Sequence, residues 1–409
     1  MKNRWGIVRN PTKYLGNEKK YLNKVLQAES WSATSGSWNA LLEQKFAEKF
    51  NSKYAISMNS GTATLHAALE ALGVKRGDEV ITPGLTVIMD TTSILHANAI
   101  PVYADVDEET FNIDPVDVEK KITKKTKAII AVALYGLPSN LNELKLLSKK
   151  YNIPLIEDNA QCYLSVSDNN LAGTVGDISS WSFENTKHIS CGEGGIVTTN
   201  DEATAIYLRK FAGHGFKNLT ASEGRVRLNQ EIFQDPNYKR HDSLGWNYRL
   251  PEFNAAVALA QLERIDEMVD VRIKVANMFL EVINDSGLFI TQNIPLNSTH
   301  SYYTLGVRYV GENMGFASWK IFRESYVKNG GDGIYGCWSV PYQEPLIATR
   351  EFVKRDPDLY NEIIYENGLC PVAEKIQPEI MQFKTNYRSL KLAEKKARVL
   401  GETIKKLKA

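Results

Sequence analysis

From residue 53 the chain alternates short apolar runs with longer stretches in which apolar residues recur every three or four positions. The runs are "KYAIS", "DEVITP", "IPVYADV", "KAIIAVAL" and "IPLIEDNA", and the first helical stretch is "GTATLHAALEALG". Apolar runs of this length without strict alternation predict strands buried on both faces. Helix-length segments between them predict crossover connections, hence a mostly parallel sheet in an α/β layered domain. "GIVTTND" adds a further strand, and "DEATAIYLRKFAGHG" predicts a helix ending near Gly213.

From Phe216 to Asp242 the pattern breaks into a polar segment with Pro236 and scattered basic residues, which predicts a long surface excursion. Loops of that length in a compact domain are usually functional. Ala255, Ala256, Leu259, Leu262, Ile265 and Met268 then mark one long helix from Pro251 to about Asn284, leading out of the main domain. A strand at "SYYTLGVRY" and a closing helix over Leu390 to Leu407 predict a smaller α+β unit. There is no internal repeat and no low-complexity tract.

The 409 residues suit two or three domains. A balance of 49 basic and 48 acidic residues provides no global field for nucleic acid or an anionic membrane, so any phosphate site must be local. No apolar run is long enough to span a bilayer and "MKNRWGIVRN" lacks a secretion-signal core, which leads us to expect a cytoplasmic protein. Cys162, Cys191, Cys337 and Cys370 show no Cys-x-x-Cys spacing, which argues against a zinc site or a disulfide framework.

Three segments carry candidate chemistry. In "NSGTATLHAALEALG" a strand hands over to a helix at Ser60, Gly61 and Thr62. Free N–H groups and the helix dipole there favour an anion, although Asn59, Ser60 or Thr62 as a plain N-cap explains the segment alone. "IEDNAQ" ends a buried strand with Glu157 and Asp158, at the edge where α/β folds place ligands. A carboxylate there would hold a proton on a ring nitrogen, or cap a turn; Gln161 would bond a ring oxygen, or cap. In "SFENTKHISCGEGG", Ser182 and Lys187 precede a glycine cluster. A phosphate cup, a strand-end aspartate and one lysine are what pyridoxal phosphate requires, because lysine forms a Schiff base with its aldehyde.

This order and spacing, Lys-x-x-x-x-Gly-Glu-Gly-Gly with "IEDNAQ" and "NSGTA", resembles the sugar aminotransferases of the DegT/DnrJ/EryC1/StrS family over nearly the whole chain, from "LLEQKFAEKF" through "GWNYRLPEFNAAVALAQLERID". The resemblance implies the pyridoxal-phosphate-dependent transferase fold type I. Residues 1–270 would form an N-terminal arm and large cofactor-binding α/β domain, and residues 271–409 a small C-terminal α+β domain. It implies Lys187 as the Schiff-base lysine, Asp158 at the pyridinium nitrogen, Gln161 at the ring hydroxyl, and Ser182 with Ser60, Gly61 and Thr62 around the phosphate. Asn247, in "WNYR", matches the position that reaches the phosphate from the neighbouring subunit, which implies a homodimer with shared active sites. Gly192 and Glu193 would support the loop, and Arg249 would anchor a loop or touch the partner. Where the family presents an aromatic ring to stack on the cofactor, "PGLTVIMD" places Val87, which forgoes an aromatic pairing term of about 0.5–1.5 kcal/mol.

The implied reaction moves an amino group from L-glutamate or L-glutamine to a keto sugar, commonly nucleotide-linked, in amino-sugar and surface-polysaccharide biosynthesis. The cofactor would cycle through pyridoxamine phosphate. A dehydratase branch of the same family places a histidine where the lysine stands; His188 falls one residue late for that role. A keto-octulosonate or cyclitol acceptor, or a cofactor-binding sensor without turnover, are further readings, the last supported only by Val87. Arg225, Arg227, Lys239, Arg240 and His241 in the polar excursion would either clamp a diphosphate or form a solvated basic loop.

Overall fold

The computed structural model describes residues 13–226 and 228–408. Its centre is a seven-stranded sheet of order β1-β9-β8-β5-β4-β2-β3. The strands are β1 (Tyr54–Met58), β2 (Glu79–Pro83), β3 (Ile100–Ala104), β4 (Thr126–Val132), β5 (Leu155–Asp158), β8 (Ile178–Ser182) and β9 (Gly195–Thr199). Between β5 and β8 lies a hairpin of β6 (Val166–Ser167) and β7 (Asn170–Leu171). Only β9 runs against its neighbours, so the other six strands all end at the same edge. The sheet is sandwiched between two apolar layers, one built around Leu65, Leu69, Ile94, Leu208 and Phe211, the other around Ile81, Ile129, Val118 and Leu144.

Three expectations need adjustment. Strand β8, "ISSWS", is hidden in the sequence by its serines, because a buried hydroxyl is tolerated only when bonded. Here Ser179 Oγ donates to the Gly173 carbonyl at 3.1 Å and Ser180 Oγ lies 2.7 Å from Thr64 Oγ1, while Trp181 is fully buried. The long helix is two, Glu252–Leu262 and Ile265–Asn284, interrupted by non-helical backbone at Arg264. At the break, Glu263 accepts hydrogen bonds from Asn17 and Tyr21 of the N-terminal segment. The strand expected over 301–309 begins only at Leu305, because Ser301 and Tyr302 turn back onto the large sheet's connecting loops.

The second sheet, of order β10-β11-β13-β12, is antiparallel: β10 (Phe289–Thr291), β11 (Leu305–Tyr309), β12 (Tyr335–Gly336) and β13 (Ile380–Phe383). Helices Ile265–Asn284, Trp319–Lys328 and Leu390–Lys408 cover it. Ile265 and Val269 of the bridging helix pack in the core of the first sheet, whereas Val275, Phe279 and Ile283 pack in the second. Residues 340–376 return to the first sheet and cover its β3 edge. The Tyr360 and Tyr365 hydroxyls donate to the Ala99 and Pro101 carbonyls, and Asp105 accepts the Val372 and Ala373 N–H groups. A covered edge strand cannot recruit another chain by strand pairing.

Candidate active site

Six parallel strands ending together bring three loops to one edge. After β1 the chain enters the helix Gly61–Ala71, and Ser60 caps it: its Oγ accepts the Ala63 N–H at 3.0 Å. The capping role is therefore real, and it leaves the N–H groups of Gly61 and Thr62 at the helix mouth, where an anion is favoured. The turn lies against its neighbours. A Cβ on Gly61 would sit 2.8 Å from the Ser182 Cβ, and one on Gly195 would sit 2.7 Å from the Ser60 carbonyl carbon. Both glycines are needed for Ser60, Gly61, Thr62 and Ser182 to meet.

At the end of β5 two adjacent carboxylates have divided roles. Glu157 is buried and accepts the N–H groups of Gly173, Val175 and Gly176 at 2.6, 2.9 and 2.6 Å, which ties down the turn before β8. Asp158 points to the other face, as alternation along a strand requires, and its one main-chain donor among the described residues is the Ala160 N–H, at 2.8 Å. Burial pushes its carboxyl upward; the Ala160 N–H, Asp90 and the Lys187 charge pull the other way. An aspartate this buried with one main-chain donor retains capacity for a cationic partner.

Lys187 sits on the loop joining β8 to β9, half-buried, its Nζ 4.6 Å from the Tyr303 ring centre. Residues of the helix Ile265–Asn284 and of the approach to β11 hold this loop. The Tyr303 and Thr186 hydroxyls are 2.7 Å apart, and the Arg272 guanidinium donates to the carbonyls of Tyr303 (2.6 Å), Thr186 (3.1 Å) and Lys187 (3.4 Å). Arg272 is buried with no carboxylate partner among the described residues, and burial pulls it down to about 10. His188 is buried against Tyr163, with its Nε2 2.9 Å from the Ser301 carbonyl. Burial holds it well below the usual histidine range, so it is a neutral core residue.

Gln161 is buried, and its Oε1 accepts the Tyr135 N–H at 2.8 Å, which leaves the amide N–H groups as donors. Val87 is half-buried at the start of the helix Ile88–His96. The Asn247 side chain is exposed, and its carbonyl accepts from Asn59 at 3.4 Å, beside the Ser60 turn of the same chain. Asn254 donates to the Cys191 and Glu193 carbonyls and so secures the glycine cluster. The residues of the polar excursion are committed to one another. Arg225 pairs with Glu223, Arg240 donates to the Phe233 carbonyl, and His241 bonds the His214 carbonyl; Arg227 lies outside the described residues.

Sequence reasoning missed Tyr303, Arg272 and Asp90. It also missed a cavity of about 250 Å³ beside the lysine loop, lined by Lys13, Lys187, Arg264, Met268, Arg272 and Arg388. Arg264 pairs with Glu267 while its Nη1 is buried there without a partner among the described residues, and burial pulls Lys13 down to about 8. The only signal would have been a tally of cations separated by some 370 positions, which no local motif captures. No group of described residues could hold a metal ion, and no described helix could cross a membrane.

The donor set fits pyridoxal phosphate: Gly61, Thr62 and Ser182 for a phosphate, Asp158 for a ring nitrogen, the free Gln161 amide for a ring oxygen, and Lys187 for an aldehyde. The chain is 38% identical over 269 residues to a GDP-perosamine synthase of Escherichia coli O157:H7, covering 66% of this chain and 69% of that one. It is 33% identical over 311 residues to a GDP-perosamine synthase of Caulobacter vibrioides, covering 76% and 78%. An aminotransferase of Psychrobacter cryohalolentis superposes with a TM-score of 0.84 at 28% identity over 98% of both chains. The model of the DegT/DnrJ/EryC1/StrS aminotransferase family matches residues 14–317, and this chain belongs to that family.

Proposed function

We propose that the chain is a pyridoxal-phosphate-dependent sugar aminotransferase that takes nitrogen from L-glutamate or L-glutamine and delivers it to a keto sugar carried on a nucleotide diphosphate, in amino-sugar biosynthesis for surface polysaccharide. The observation that carries it is Lys187 Nζ on a loop at the carboxyl edge that also presents Asp158, Gly61 and Ser182. When bound, the cofactor supplies an aldehyde that condenses with amines and a ring that withdraws electrons. Asp158, short of donors, holds the proton on the ring nitrogen. The Gln161 amide orients the ring oxygen, the Gly61–Thr62 turn and Ser182 bind the phosphate, and Val87 packs on the ring face. Lys187, whose loop is braced by Arg272 and Tyr303, moves the proton between the substrate carbon and the cofactor carbon.

His188 speaks against the dehydratase alternative, since it is buried, neutral and bonded to Ser301 while Lys187 remains accessible. Arg388 and the Nη1 of Arg264 favour an acceptor with a diphosphate over a neutral cyclitol, although Arg264 already pairs with Glu267 and Lys13 donates to the Asn185 carbonyl. The polar excursion is the poorer clamp, its described arginines being already paired. Two subunits of a homodimer would complete each site, Asn247 reaching the partner's phosphate. Residues 1–270 and 271–409 would act as cofactor and small domains.

Nitrogen-labelled glutamate or glutamine, the reconstituted enzyme and a panel of keto sugars with and without a nucleotide provide the test. A labelled amino sugar detected by mass spectrometry is the expected product. A label-free deoxy sugar with released ammonia would assign the dehydratase reaction instead.

A further inference from the structure

Beneath Asp158 lies a second acid that the reading above does not use. Asp90, in the first turn of the helix Ile88–His96, is fully buried. Its Oδ2 accepts the Thr86 hydroxyl at 2.6 Å. Its Oδ1 is buried and has no donor among the described residues. The group it meets is the Asp158 carboxyl at the end of β5, on which the Lys187 charge also acts. Two carboxylates in contact, both removed from water, cannot both be ionised; one proton must lie between them. Asp158 has the Ala160 N–H and the Lys187 charge nearby, whereas Asp90 has the Thr86 hydroxyl and its own N–H but no cation acting on it. The proton therefore resides on Asp90, and the bare Oδ1 becomes a donor once protonated.

We propose that Asp90 is a positioning residue for Asp158: it carries the proton shared by the two carboxyls and donates it to Asp158. Held by Ala160 from one side and Asp90 from another, Asp158 stays anionic in an apolar setting, with one direction left for the ring nitrogen. The catalytic meaning of this pair rests on the proposed role of Asp158, but the shared proton is a property of the protein without cofactor and can be tested there.

Infrared spectroscopy of the full-length apoprotein at pH 7 should show a protonated-carboxyl stretch that Asp90→Asn removes. Absence of that absorption in the wild type overturns the proposal, whatever the variants do. The thermal melt provides a second reading. Burial and the Asp158 charge hold the Asp90 carboxyl well above its ordinary value. The fold keeps a proton that the unfolded chain gives up, so wild-type stability is lost as pH rises above the ordinary aspartate range. The melting temperature of Asp90→Asn should accordingly gain on the wild type between pH 5 and pH 9, and a constant difference would refute the shared proton. In the loaded enzyme, Asp90→Asn, whose amide still donates to Asp158, should keep turnover within about threefold. Asp90→Leu should lose about tenfold or more, with a shifted pH dependence of the cofactor's visible absorption. Equal losses in both variants would show that Asp90 only fills space. Borohydride trapping of the cofactor on Lys187 is read separately, so failure of the cofactor assignment is distinguishable from failure of the acid pair.

Discussion

At the carboxyl edge of the large sheet and in the excursion over 216–242, the chain gathers polar groups in opposite ways. On the edge, Ser60, Asp158 and Ser182 are fixed by strand ends and glycine contacts, and each keeps bonding capacity in reserve. In the excursion several charged side chains already have partners: Arg225 with Glu223, Asp242 with Lys210 of the preceding helix, Arg240 with the Phe233 carbonyl. A ligand site needs unspent donors and acceptors held in place, and the edge and its neighbouring cavity gather them around Lys187. Exposed ion pairs contribute about 0–1 kcal/mol, so the excursion's many contacts are weak evidence of function or stability.

The sharpest way to break this comparison is Lys187→Ala. Multiple turnover should fall by at least about 10³-fold while the cofactor stays bound through its other contacts, checked by steady-state rates and the cofactor's absorption spectrum. Mixing those subunits with inactive Asn247→Ala subunits should restore activity if the site is shared, and verified exchange without recovery would place each whole site in one chain. Asp158→Asn comes next, with an expected loss of about 10²-fold at unchanged fold, because an amide cannot hold the ring nitrogen protonated. Unaltered kinetics would remove Asp158 from the reaction.

Arg388→Ala should raise KM for a nucleotide-linked keto sugar about tenfold and leave the glutamate half-reaction intact, whereas Arg225→Ala should change neither. A larger effect at Arg225 would move acceptor recognition to the excursion. The smallest effect is on acid stability. Burial pulls His300 down to about 3, its Nε2 3.1 Å from Gln292 Oε1 and its Nδ1 accepting the Tyr302 N–H. The unfolded chain takes up a proton below about pH 6.5 that the fold refuses until about pH 3. Stability from this residue is therefore full above pH 6.5 and declines below it by up to about 1.4 kcal/mol per pH unit. Denaturant titrations at several pH values should show a shallower acid decline in His300→Gln.

The edge was readable in the sequence because strand ends and turns are local: "NSGTA", "IEDNAQ" and the lysine before "GEGG" each declare a place within a few residues. Apolar runs located β2, β4 and β5 for the same reason. Strand β8 escaped because its serines are bonded inside the sheet, and the interruption at Arg264 escaped because Asn17 and Tyr21, which meet Glu263, lie far away in sequence. Arg272, Tyr303, Asp90 and the cationic cavity were invisible for the general reason that each acquires meaning only from a partner brought by the fold. The return of residues 340–376 to the β3 edge belongs to the same class.

The bracing of the lysine loop also bears on synthesis. Lys187 leaves the ribosome early, but the loop's clamps come later: Arg272, then Tyr303, then Thr385, which accepts from Arg272 at 3.2 Å and donates to the Tyr302 carbonyl. A nascent chain that has completed its large sheet still holds a loosely tethered lysine, and the loop is set only when nearly the whole polypeptide has emerged. Translation that stops before residue 385 thus leaves the lysine loop without the last part of its clamp.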